Sequence, residues 1–240
     1  MCCCWALLAI RLRHYTLFWG KVKTKNQTLK TKYFDENHAT VDETWEWYLG
    51  KYNNSNPLAQ FLLNQFFSII KRIIDILEPS DKLLEVGCGA GASSRRILGM
   101  LNGQEFEVSD YDKRLVKKLI KTGFPIKVTR ESVLELTHRS DDSFDCVFVL
   151  EVLEHIEDYR RALSELFRVS KKYVVISVPN EPLWSILNIV RGKYIQEFGN
   201  TPSHLHRWSV NSLRKLISEY GTVTIVYTPM PWIVILAKKT

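Results

Sequence analysis

Three glycines at two-residue spacing, Gly87, Gly89 and Gly91, follow the run L-L-E-V and precede A-S-S-R-R-I-L. Glycine in such a loop lets the chain turn tightly and lets backbone approach a ligand with no Cβ in the way. Gly87-x-Gly89-x-x-Ala92 also satisfies the dinucleotide fingerprint, so two nucleotide cofactors compete. Glu85 separates them. It sits two residues before the first glycine, where a pyrophosphate would meet the helix N-terminus and be repelled by a carboxylate. S-adenosylmethionine brings an ammonium and a sulfonium to the same place, and an acid suits both. Asp110 closes the next apolar run, where a carboxylate accepts both hydroxyls of a ribose in either cofactor class.

A second group of reactive side chains is E-V-L-E-H at 151–155. Glu151, Glu154 and His155 are spaced so that one turn of chain aims all three at one point. His155 alone can act as a general base, since an unperturbed imidazole titrates near neutrality. The plain alternative has the two glutamates capping or pairing locally and His155 merely packed. Cys88 and Cys146 lie in the glycine loop and in an apolar run, with no triad-like neighbours for a thiolate nucleophile.

The elements that must hold these groups can be read from periodicity. T-W-E-W-Y-L-G-K-Y-N-N-S-N-P reads as an aromatic loop entering a helix at Pro57, and apolar residues at helical spacing continue to Leu77. Strands over 82–86, 105–110, 126–129, 146–150 and 173–178 then alternate with helices over 90–101, 112–121 and 158–169. That rhythm calls for a mostly parallel sheet with helices on both faces. Residues 179–208 interrupt it as a lid-like insertion. Ser209 caps a last helix to Tyr220, and strands over 222–228 and 232–238 finish the chain. Their short link forces an antiparallel pair.

Composition sets the class. Hydrophobic residues make up 45% and charged residues 25% of the 240, values of a soluble chain with a sizeable core rather than a disordered one. The net charge of +7 belongs to residues 1–34, which hold seven basic residues and no acidic one. Beyond them the 26 acidic residues are matched by as many basic ones, so a whole-domain nucleic-acid footprint is not supported. The expected organisation is a basic, loosely ordered segment over 1–41 and one folded domain over 42–240. M-C-C-C-W-A-L-L-A-I is too short to span a bilayer. With the basic residues after it, the run offers peripheral membrane contact as the alternative to a tail. Five cysteines, an odd number without ligand spacing, fit a reducing, cytoplasmic compartment.

Several ordered motifs carry a resemblance. E-V-G-C-G-A-G, then Asp110, S-F-D-C-V at 143–147 and E-V-L-E-H at 151–155 resemble class I S-adenosylmethionine-dependent methyltransferases of the type 11 group, with ubiquinone-pathway O-methyltransferases nearby. The resemblance covers roughly residues 52–240. It implies a Rossmann-like α/β fold with a seven-stranded, mostly parallel sheet of order 3-2-1-4-5-7-6 and strand 7 antiparallel. It also implies a cofactor site lined by Glu85, Gly87, Cys88, Gly89, Asp110, Ser132, Val133 and Leu150. The family often has an acidic residue in a G-D-A step after strand 3, contacting adenine. Here Glu131-Ser132-Val133 stands in its place, with Ser132 or Glu131 as the acceptor. E-x-x-E-H also resembles the metal-dependent small-RNA 2′-O-methyltransferases, which implies a divalent metal ion held by Glu151, Glu154, His155 and His204, although the pattern around the last histidine differs.

The expected reaction is methyl transfer from S-adenosylmethionine to a small-molecule or lipid-linked acceptor, most naturally at oxygen, with His155 as the catalytic residue. The apolar and aromatic content of 179–208 (Trp184, Ile186, Tyr194 and Phe198 among others) favours an apolar acceptor if the segment is a lid, and ordinary packing if it is not. A catalytically silent cofactor-binding regulator and an NAD-dependent oxidoreductase are the competing classes.

Overall fold

The computed structural model describes residues 40–53, 55–201 and 203–240. The readings made on the first 39 residues, the three leading cysteines and the membrane contact among them, lie outside the described residues.

Strand periodicity builds the sheet. β1 (Lys82–Val86), β2 (Glu105–Asp110), β3 (Lys127–Arg130), β4 (Phe144–Leu150), β5 (Ser170–Pro179), β6 (Gly221–Tyr227) and β7 (Trp232–Lys239) join in the order β3-β2-β1-β4-β5-β7-β6. β1 to β5 are mutually parallel, and β7 runs antiparallel to both β5 and β6. This is the expected architecture.

Alternate side chains divide between two cores. Leu83, Cys146, Phe148 and Val175 face one side with α1 (Val41–Tyr52), α2 (Pro57–Ile74), α3 (Ala92–Leu98) and α4 (Lys113–Lys121). Leu84, Val147, Val149 and Ile176 face the other with α5 (Tyr159–Val169) and α7 (Val210–Ile217). The parallel registers bring the ends of β1, β2 and β4 (Val86, Asp110 and Leu150) to one edge, where the loops of the site begin. No helix among the described residues is long and apolar enough to cross a membrane.

Two stretches differ from the sequence expectation. Residues 41–52 form a helix, where a loop was expected. Thr40 and Glu43 make a capping box, with the Glu43 amide donating to Thr40 Oγ1 at 3.2 Å and the Thr40 amide to Glu43 Oε2 at 2.8 Å. Trp45, Tyr48, Leu49 and Tyr52 then fall on one face against the first core. The helix after the glycines is shorter than 90–101, because Gly91 precedes it with φ +74° and Gly99 caps its end.

The insertion holds α6 (Leu183–Val190) and a short 3-10 turn at Ile195–Glu197. Its ends meet: the Glu181 amide donates to the Trp208 carbonyl at 3.0 Å, and the Asn180 amide to the Pro231 carbonyl at 2.9 Å. Residues 181–208 are therefore an excursion closed at its base.

Candidate functional site

The glycine loop leaves β1 and immediately turns back toward β2. The amides of Gly87 and Cys88 donate to the Ser109 carbonyl at 2.8 and 3.0 Å, and the Gly89 amide donates to Asp110 Oδ2 at 2.7 Å. Asp110 Oδ1 accepts from the Asp112 amide at 2.8 Å. Each carboxylate oxygen has a second lone pair, so a ribose diol can still be accepted. Gly87 needs its glycine twice over. Its φ is +85°, and a Cβ there would lie 2.4 Å from Val152 Cγ2.

Glu85 is 1% exposed, with its carboxylate accepting from Ser93 Oγ at 2.6 Å and also from Ser94 Oγ, both on α3. Burial pushes its pKa up, the two hydroxyls oppose that, and Asp110 adds to it. A buried carboxylate in this position gains from a cation beside it. Cys88 is buried too, and burial drives its thiol well above the usual range, which leaves no thiolate for catalysis. The same holds for Cys146.

Ser132 follows β3 and accepts from the Leu134 amide at 3.2 Å, while Val133 is buried in the second core. Glu131, the other possible adenine acceptor, is committed elsewhere. Arg139 Nε donates to Glu131 Oε1 at 2.9 Å, and the Arg139 guanidinium also pairs with Glu107 and Thr129 Oγ1. That leaves Ser132 as the polar side chain of the step. Leu150 is buried at the end of β4.

The 151–155 turn packs directly against the glycine loop through Val152 and Gly87. Within it the three candidate ligands part company. Glu151 has φ +59°, and its carboxylate accepts from Ser177 Oγ and from Trp232 Nε1, each at 2.9 Å. It braces β5 and β7. The four-residue metal set is therefore corrected: Glu151 does not converge with the others. Glu154, His155 and His204 do, with one potential ligand atom from each lying within 4.8 Å of the rest.

His155 Nδ1 lies 2.8 Å from the Ser203 carbonyl. A carbonyl only accepts, so Nδ1 carries a proton, and in the neutral ring the lone pair is on Nε2. Nε2 is turned toward Glu154 Oε1, 3.8 Å away, and the His204 ring stands 5.0 Å from the His155 ring, centroid to centroid. The insertion is tied to this turn by backbone, since the Leu205 and His206 amides both donate to the Glu154 carbonyl. Trp184 lies over His204 at 5.9 Å and donates to Thr201 Oγ1 at 3.0 Å.

Sequence reasoning missed the aromatic cover. Tyr48 on α1 stands over Gly89, where an added Cβ would come within 3.0 Å of its ring. Tyr52, one turn on, has its hydroxyl pushed up by burial and by the nearby charges of Glu85 and Glu151. The Thr40-x-x-Glu43 box with the spacing of Trp45, Tyr48, Leu49 and Tyr52 was the available signal. A hollow of about 410 Å³ on the outer side of α2 and α3, lined by Phe67, Lys71, Arg95 and Arg96 among others, contains none of the site residues.

Comparison with known proteins shows the family. A family model described as a methyltransferase domain matches residues 58–225. A ubiquinone biosynthesis O-methyltransferase of Xanthomonas axonopodis pv. citri is 29% identical over 127 residues, covering 50% of this chain and 52% of that protein. One from Hahella chejuensis is 26% identical over 142 residues, covering 54% and 56%. The chain thus spans about half the length of the curated relatives it matches. Among solved structures, the magnesium protoporphyrin IX methyltransferase of Synechocystis PCC 6803, with bound S-adenosylhomocysteine, superposes with a TM-score of 0.60 at 14% identity, covering 84% of this chain and 95% of that one. A methyltransferase of Aquifex aeolicus gives 0.56 at 18%, covering 72% and 89%.

Proposed function

The chain belongs to this methyltransferase-domain family, and from that premise we propose that it moves a methyl group from S-adenosylmethionine to an oxygen of a small-molecule or lipid-linked acceptor. The observation that carries the reading is the packing of Val152 on Gly87, which sets the turn bearing His155 beside the glycine loop. The donor set fits the cofactor. Asp110 and Glu85 offer acceptors for a ribose diol and an ammonium, and a carboxylate at Glu85 would repel a pyrophosphate. Gly87, Cys88 and Gly89 would supply the close backbone, Ser132 and Val133 after β3 would hold the adenine, and Leu150 at the end of β4 would line the same site.

S-adenosylmethionine supplies a methyl already activated on sulfonium, so the protein's task is mainly alignment, worth up to ~7–11 kcal/mol. His155 holds its ring by the Ser203 carbonyl and presents Nε2 to take the hydroxyl proton as the acceptor oxygen attacks in line. The relatives' printed names, ubiquinone biosynthesis O-methyltransferases, favour oxygen as the accepting atom.

A second reading is favoured by one observation, the convergence of Glu154, His155 and His204. Two imidazoles and a carboxylate suit a divalent first-row ion with an open position. Such an ion would lower the acceptor's pKa, making the nucleophile available without a dedicated base.

Thermal-shift titration with S-adenosylmethionine, S-adenosylhomocysteine and NAD separates the transferase from an oxidoreductase. Transfer of labelled methyl from S-adenosylmethionine into small-molecule and lipid extracts separates an enzyme from a silent regulator. Stabilisation by NAD alone would sink the proposal.

A further inference from the structure

α6 is inside out. A surface helix in water buries its apolar stripe and exposes its polar face. In L-W-S-I-L-N-I-V the buried residues are Ser185 and Asn188, while Ile186, Ile189 and Val190 are 52%, 43% and 77% exposed. The inward face is bonded as a polar interior. Ser185 Oγ donates to the buried Glu181 carboxylate at 2.7 Å, and Asn188 Nδ2 donates to the Gly199 carbonyl at 2.8 Å. These bonds fix the helix rotation, which leaves Leu183, Trp184 and Leu187 half-buried and turns Ile186, Ile189 and Val190 outward.

The turn that follows continues the pattern. Tyr194 and Phe198 both occupy the left-handed region, at φ +54° and +51°, where bulky residues are strained. At Phe198 that strain does not serve to bury the ring, whereas Tyr194 is half-buried. Phe198 is 81% exposed and Ile195 61%, with Leu205 at 58% a few residues on. Within the insertion itself the exposed charges have one sign, with Glu157 and Asp158 exposed on the neighbouring turn near His206. Between Glu181 and Arg207 the exposed charged residues are Arg191, Lys193 and Arg207, whereas Glu181 is buried and Glu197 only partly exposed.

We propose that this face docks on an anionic lipid surface. Ile186, Ile189, Val190, Ile195, Phe198 and Leu205 enter the boundary between headgroups and acyl chains, and Arg191, Lys193 and Arg207 meet the phosphates. Charge selects this occupant over a second copy of the chain, because a twofold contact through the patch would bring two basic rims together. The proposal does not depend on which acceptor is methylated.

The test is co-sedimentation of the full chain with vesicles of phosphatidylcholine alone and with added phosphatidylglycerol. Two variants accompany it: Val190→Asp with Phe198→Asn, and Arg191→Glu with Lys193→Glu. Asn is chosen at 198 because it tolerates the left-handed conformation. Binding to the anionic vesicles should exceed that to the neutral ones, fall with salt, and drop at least about tenfold in each variant. The thermal shift given by S-adenosylhomocysteine reports on folding in both, and an unchanged shift assigns the loss to the surface. Undiminished binding by both variants would overturn the proposal, as would absence of vesicle binding by the full chain. So would a dimer that the variants dissociate without any change in vesicle binding.

Discussion

The Gly89 amide donates to Asp110 Oδ2 across 2.7 Å, joining the loop after β1 to the end of β2. One carboxylate thereby shapes the glycine loop and, on the proposed reading, also accepts the ribose. Loss of Asp110 removes both effects at once. Asp110→Ala should weaken S-adenosylmethionine binding by about 10–100-fold, the scale of a charge-assisted hydrogen bond. Calorimetric titration checks this, and unchanged affinity would remove Asp110 from the site.

Gly87→Ala should destabilise the fold by about 1–3 kcal/mol through its left-handed φ, with the contact at Val152 adding to that. Val152→Ala in the same chain relieves the contact but not the φ. The double variant should therefore melt between Gly87→Ala and the parent. If it melts no higher than Gly87→Ala, the two residues do not press on each other.

Arg139 holds the segment after β3 in place through Glu131 and Glu107, which are largely buried with it. For Glu107, burial raises the pKa, but hydrogen bonds and charge from Arg139 and Lys127 outweigh it and the net shift is downward. A lowered carboxyl contributes stability above its unfolded pKa and loses it as pH falls through the folded value. Arg139→Ala should thus cost of order 3 kcal/mol near neutral pH. The gap from the parent should narrow on acidification below the usual carboxylate range. Melting curves across pH decide, and a gap that widens in acid would contradict the assignment.

His155 and His204 are expected to behave differently. With His155 as base, His155→Ala should lower turnover about 10²–10⁴-fold, His204→Ala far less, and a chelator should leave the parent active. Equal losses in both variants, with activity removed by chelator and restored by zinc or manganese, would establish the ion instead.

The strands, their terminal antiparallel pair and the glycine turn were legible because strand alternation and Cβ-free loops are written in residue types at fixed spacing, whereas the order of the strands followed only from the resemblance to methyltransferases. α1 was hidden behind the turn-like N-N-S-N-P that follows it, although its capping box was in plain view. The orientation of Glu151 was not legible. It depends on a single φ of +59°, which no spacing rule announces in a glutamate. The outward face of α6 was equally hidden, because apolar residues at helical spacing look the same whichever way the helix is rotated. Only the bonds of Glu181, Ser185 and Asn188 decide that rotation.

The most direct test of the central claim is transfer of labelled methyl from S-adenosylmethionine to acceptors in lipid and small-molecule extracts, run with the parent and with His155→Ala. The account predicts label in an extractable acceptor with the parent, a large loss with His155→Ala, and equal S-adenosylmethionine affinity for the two chains. Equal labelling by both, or tight cofactor binding with no label transferred to any fraction, would contradict it.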